Sequence, residues 1–144
     1  MTRAVTIRRW MSIIAFAATA GCGSPEDEYG EDDAPPARVV GDVFPESDDT
    51  LIVPDTVQAG VPFEVTVNTR GSSSCTAPAE VEVTMRGDTA NLIPYDYASS
   101  GTCTADMGAI SHRATLTFAR PGHAVVRIAY GAKTLVEHKV VVRS

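Results

Sequence analysis

From residue 50 onward the sequence predicts an all-β fold, with two antiparallel sheets packed as a sandwich of about seven strands. Three observations carry that expectation. Apolar and polar residues alternate with period two, the mark of half-buried strands. Gly- and Pro-bearing turn signals interrupt the runs at short intervals. No stretch of ten residues combines a helical period with caps.

The runs follow in order. Leu51, Ile52 and Val53 form a short apolar run before Pro54. Phe63, Val65 and Val67 alternate with Glu64, Thr66 and Asn68. Val81, Val83 and Met85 alternate with Glu80, Glu82, Thr84 and Arg86, and a weaker strand lies around residues 92–97. Ile110, Ala114, Leu116 and Phe118 share one phase, as do Ala124, Val126, Ile128 and Tyr130. Val136, Val140 and Val142 close the chain, with Leu135 and Val141 in the opposite phase. Turn signals stand between them at Ala59-Gly60, Arg70-Gly71, Arg86-Gly87-Asp88, Ser100-Gly101, Pro121-Gly122 and Tyr130-Gly131. Pro121-Gly122 suits a type II turn, in which Pro presets φ and Gly supplies a positive one.

The 144 residues are enough for one domain, and their formal charge is −6. That charge is unevenly spread. Residues 1–21 hold three Arg and no acid; residues 22–49 hold ten acids and one Arg; residues 50–144 hold eight of each sign. A folded part without excess positive charge argues against a nucleic-acid partner. A second long apolar run is absent, which excludes a multi-pass helical membrane protein.

The first 21 residues read as an export signal. Arg3, Arg8 and Arg9 precede an apolar run over residues 10–20. Eleven residues are too few to span a bilayer, which takes about 20, and small residues then lead to a cysteine. Thr19-Ala20-Gly21-Cys22 resembles the lipobox of bacterial lipoproteins, with Thr19 where that family usually has Leu. The resemblance implies cleavage before Cys22, a diacylglyceryl thioether on its sulfur, and membrane lipid as a partner through that anchor. Gly23 stands where an Asp often retains such proteins at the inner membrane, so the outer membrane is favoured in a cell that has one. The alternative is a plain secretory signal with an incidental cysteine.

Residues 22–47 then read as a lipidated cysteine and acidic tether, with the domain over 48–144. Acids, Pro and Gly dominate the tether, which has too little apolar surface to offset ordering. Glu26, Asp27, Glu28, Glu31, Asp32 and Asp33 lack the spacing of an EF-type calcium loop. Val39, Val40, Val43 and Phe44 form an apolar group that a sheet edge could take up as an extra strand.

Two further resemblances concern the fold. Residues 54–67 (PDTVQAGVPFEVTV) and 116–130 (LTFARPGHAVVRIAY) resemble the opening strands and late hairpin of bacterial immunoglobulin-like domains. The sole Trp, Trp10, lies in the signal, so antibody-type core marks are missing. Ala59-Gly60-Val61-Pro62-Phe63 and the Pro-Gly turn are also similar to cupredoxins. That likeness implies a cupredoxin-like shape and, as an alternative function, a metal-handling lipoprotein. A copper site of that kind needs a His after the early strand and a late Cys. Thr69-Arg70-Gly71 and the strand after Gly122 supply neither.

With Cys22 assigned to lipid, Cys75 and Cys103 remain as a pair, and a disulfide is the expectation in an oxidising compartment. Redox activity is disfavoured by the absence of C-x-x-C spacing. His112, His123 and His138 match no local metal motif, alone or with Asp106 and Met107, so neither metal nor cofactor is expected. Ser72, Ser73, Ser74, Ser99 and Ser100 lie in no G-x-S-x-G context. Glu80, Glu82, Asp88, Asp96 and Asp106 show no spacing that selects a catalytic pair. An enzyme is therefore not expected. Tyr95 and Tyr97 fall on one face of an extended segment, where exposed rings grip sugars or proteins; the other reading gives them an inter-strand packing role. The loops around Cys75 and Cys103 form a second candidate surface. These features point to a non-catalytic binding or accessory role at the cell envelope, with an envelope protein or glycan as partner.

Overall fold

The computed structural model of the chain describes residues 34–144; Cys22, the signal segment and most of the acidic tether lie outside the described residues. Within them every regular element is a strand, and the strands form two sheets. The elements are β1 (Ala37–Val40), β2 (Asp42–Val43), β3 (Leu51–Ile52), β4 (Thr56–Gln58), β5 (Phe63–Gly71), β6 (Thr76–Arg86), β7 (Thr89–Ala98), β8 (Gly108–Leu116), β9 (Gly122–Tyr130) and β10 (Lys133–Arg143). The six long strands match the alternating runs of the sequence. The one read as weak, β7, is ten residues long and central to its sheet.

The larger sheet contains β6, β7, β1, β9, β10 and β4; the smaller contains β2, β3, β5 and β8. Antiparallel pairing dominates, as expected, but β4 runs parallel to β10 and β7 parallel to β9. Two hairpins are tight. Gly87-Asp88 joins Arg86 to Thr89, and Gly131-Ala132 joins Tyr130 to Lys133. Gly87 at φ 60° and Gly131 at φ 58° supply the positive φ that such two-residue loops require. Pro121-Gly122 does not form the expected turn. Residues 117–121 carry the chain from the small sheet to the large one, and Gly122, at φ 141°, already opens β9.

The sheets bury one shared core. Ala90, Leu92, Ala124, Val126, Ile128, Val140 and Val142 come from the large sheet, and Val43, Leu51, Val65, Val67 and Leu116 from the small one. Burying each large apolar side chain contributes about 1.5–3 kcal/mol. Phe63 and Phe118 close one end, their ring centroids 5.7 Å apart.

Residues 37–43 belong to the domain: composition put the boundary at residue 48, but the apolar group at 39–44 is taken up by the sheets as an edge. Ala37–Val40 pair with residues 95–98 of β7, and Asp42 and Val43 pair with Arg70 and Thr69 of β5. The segment thus crosses from one sheet to the other at Gly41. β7 pairs with β9 over residues 89–92 and with β1 over residues 95–98. Pro94 lies between those two stretches, where a missing N–H interrupts neither ladder, and its carbonyl accepts from Gly41 N at 2.9 Å.

Candidate functional site

The chain reverses from β5 into β6 at Gly71. A Cβ there would stand 2.5–2.7 Å from the side chain of Thr76, so only glycine permits the approach. Beyond it, residues 72–75 form a tight turn in which Thr76 N donates to the Ser72 carbonyl at 3.0 Å. Cys75 is bonded to Cys103, with Cα atoms 5.5 Å apart. The bond holds this turn against the loop that follows β7, as the pairing of the two cysteines predicts.

Hydroxyls continue the staple. Thr104 N donates to Ser74 Oγ at 2.9 Å, and Ser72 Oγ donates to the Thr104 carbonyl at 3.0 Å. Ser72 Oγ and Ser74 Oγ stand 2.9 and 3.1 Å from Thr104 Oγ1, which itself donates to Asp106. Hydrogen bonds from Ser73 and then Thr104 hold the Asp106 carboxyl below the usual carboxylate range. The cluster is exposed, as are Tyr97 and Met107 at the same end of the sandwich. It offers fixed hydroxyls, one carboxylate and one aromatic ring. Such a set can exchange hydrogen bonds with neutral polar groups.

The two tyrosines are separated in role. Both project from the outer face of β7, but Arg38 lies over Tyr95, with Cζ 3.3 Å from the ring centroid. Arg38 Nε reaches on to Glu80 Oε1 at 2.5 Å, and Tyr95 Oη donates to Glu82 at 3.3 Å. The Glu80 carboxyl is held below its ordinary range by its own backbone N–H and by Arg38. One face of Tyr95 is therefore covered, whereas Tyr97 remains 42% exposed.

The histidines are held in separate settings. His138 Nε2 is 3.0 Å from Asp55 Oδ1 on the β10 side of the large sheet, and His123 is exposed near the start of β9. Among the described residues no group of three or more His, Cys, Asp or Glu side chains is placed to hold a metal ion.

His112 belongs to a buried polar network whose assembly the sequence did not reveal. Thr69, Asp96 and His112 are 0%, 2% and 2% exposed. His112 Nε2 is 3.0 Å from Asp96 Oδ1 and 3.0 Å from Thr69 Oγ1; Thr69 Oγ1 is 3.2 Å from the same carboxylate oxygen. The other ring nitrogen, Nδ1, is 3.2 Å from the Ala79 carbonyl. In a nucleophilic triad the hydroxyl and the carboxylate occupy opposite ring nitrogens, and the hydroxyl faces a substrate. Here both share Nε2 and all three groups are sealed between the sheets. The arrangement ties β7 of one sheet to β5 and β8 of the other. The inward phase of Leu92, Pro94 and Asp96 was the available signal for the carboxylate.

No family model matches the chain, and neither a curated protein nor a solved structure matches it.

Proposed function

We propose that the protein is an exported lipoprotein, anchored through acylated Cys22, whose immunoglobulin-like sandwich is a non-catalytic binding or accessory module at the cell envelope. The observation that carries this reading is the Cys75–Cys103 bond, because such bonds persist in oxidising compartments outside the cytoplasm. An immunoglobulin-like reading is supported by β5 between β3 and β8, by β9 beside β10, and by a short strand parallel to the last one. In the large sheet β7 lies between β6 and β9.

The position of β1 sharpens the functional reading. Ala37 pairs with Ala98, and Thr76 also pairs with Ala98, so the chain from the anchor arrives at the stapled end. The residues between Cys22 and Ala37 reach roughly 50 Å at full extension. An anchored molecule therefore presents Tyr97 and the hydroxyl cluster to a membrane-proximal partner, an envelope protein or glycan.

Photo-crosslinking on intact cells tests this, with the reactive group at Tyr97 or Met107 and, as control, at Gly60 on the opposite end. A product specific to the stapled end supports the reading. Unmodified Cys22 in the native protein, or free thiols at Cys75 and Cys103, would refute it.

A further inference from the structure

The outer face of the large sheet carries a second feature, remote from the stapled end. Thr84, Asn91 and Arg127 lie in one register row across β6, β7 and β9. With Arg86 they rim a cavity of about 180 Å³ whose floor includes Ile93 and Ala129. Arg127 Nε donates to Asn91 Oδ1 at 2.5 Å, and Asn91 Nδ2 donates to the Thr84 carbonyl at 3.5 Å. The amide is thereby fixed by bonds at both ends, and it holds the guanidinium by Nε alone.

Among the described residues the two Nη groups of Arg127 have no hydrogen-bond partner. Arg38, Arg70, Arg113 and Arg120 each have a carboxylate within 4.0 Å. Among the described residues Arg86 and Arg127 have none, although both line this one cavity. Arg143, the third without a carboxylate, lies on β10 at another cavity. Glu82 and Glu137 occupy neighbouring positions of the same face, beside Ile93 and Arg127 respectively, and neither lines the cavity. Among the described residues the rim thus offers two cations and the Thr84 hydroxyl, and no anion.

We infer that this cavity is a binding site for a phosphate group, either free phosphate or a phosphomonoester headgroup. Two guanidinium charges match a phosphate dianion. The planar fork of Arg127, oriented in advance by Asn91, suits two parallel N–H···O bonds. Orientation by a neutral amide also avoids the loss of donor strength that a carboxylate partner would impose. The site is independent of the stapled end, so either can fail alone.

The test is an NMR titration of the full chain with inorganic phosphate at constant ionic strength, with chloride as reference. Saturable shifts are expected at residues 84–91 and at Arg127 Nε–H, with half-saturation at about a millimolar. Arg127→Gln and Arg86→Gln should each weaken binding about tenfold. Asn91→Ala should weaken it less and should broaden the Arg127 Nε–H signal in the free protein. Phosphatidylcholine vesicles with and without phosphatidic acid separate the sources. An Arg127-dependent gain in vesicle binding identifies a lipid headgroup, and saturation by inorganic phosphate without that gain identifies a soluble one. Shifts that grow linearly with phosphate, match those of chloride, or persist undiminished in both arginine variants would overturn the inference.

Discussion

Tyr130 Oη donates to the carbonyl of Gly41 at 2.8 Å, joining the end of β9 to the point where the N-terminal segment crosses between the sheets. Burial, with the nearby charges of Asp42, Asp96 and Tyr95, pushes this hydroxyl up to about 12. The neutral form is thus favoured by folding. Its contribution is fully present below pH 10, the ordinary tyrosine value, and is lost as pH rises through 12. Spectrophotometric titration should find one of the four tyrosines ionising near pH 12. Tyr130→Phe should remove that step and the matching fall in thermal midpoint above pH 10. At neutral pH it should cost about 1–2 kcal/mol, because the Gly41 carbonyl loses its donor.

Gly41 itself is fixed by what lies beside it. A Cβ at this position would overlap Thr69 Cγ2 and stand 2.8 Å from Asp96 Oδ2. Both neighbours are buried and hydrogen-bonded, so neither can yield without breaking the network. Gly41→Ala should therefore destabilise by about 1–3 kcal/mol, as overpacking does. Gly60 has nothing within 4 Å of its Cβ position, but its φ of 75° strains any side chain. Its replacement by Ala should cost only about 1 kcal/mol. Urea denaturation of the two variants checks the order.

Much of the sandwich was legible because a half-buried strand writes its burial into alternate residues. β5, β8 and β9 show this plainly. Residues 37–40 were legible only as an apolar group that a sheet edge could take up, and for the same reason. All four are exposed, so no alternation marks β1, and the surrounding acids and prolines dominate the composition. The buried network was half legible. Asp96 shares the phase of Leu92 and Pro94, and His112 that of Leu116, but their meeting depends on which strands of the two sheets face each other. That is set by pairings far apart in sequence. The Ala79 carbonyl was hidden further, since it is free only because the β6–β7 register shifts between Pro78 and Val81. The cavity at Arg86 and Arg127 likewise exists only once β7 lies between β6 and β9.

The Thr69–Asp96–His112 network gives a prediction with two arms. The Ala79 carbonyl only accepts, so His112 Nδ1 donates to it, while the Thr69 hydroxyl donates to Asp96. Asp96→Leu alone leaves the imidazole and the Thr69 hydroxyl without their acceptor, and should cost about 3–5 kcal/mol. Replacing all three by apolar groups of similar shape, Thr69→Val, Asp96→Leu and His112→Leu, should recover much of that loss. Denaturant midpoints of the single and triple variants decide. A triple variant as unstable as the sum of its singles would show that the network contributes through geometry an apolar core cannot replace.

The Cys75–Cys103 bond should act mainly through the unfolded chain. It links residues 28 apart in sequence, and a loop of that size contributes about 3–4 kcal/mol in the chain-entropy account. In the folded state the two loops are also joined by the hydroxyls around Thr104, so their separation on reduction should be small. Cys75→Ser with Cys103→Ser should therefore lower stability by about 3 kcal/mol while leaving the amide shifts of β5, β9 and β10 unchanged. The dependence on denaturant should steepen as well, because an unfolded chain freed of its cross-link exposes more surface. Equilibrium unfolding in guanidinium, with the wild-type chain measured in parallel with and without reductant, reads both quantities. An unchanged slope with the same loss of stability would move the effect from the unfolded chain to the strained loops of the folded one.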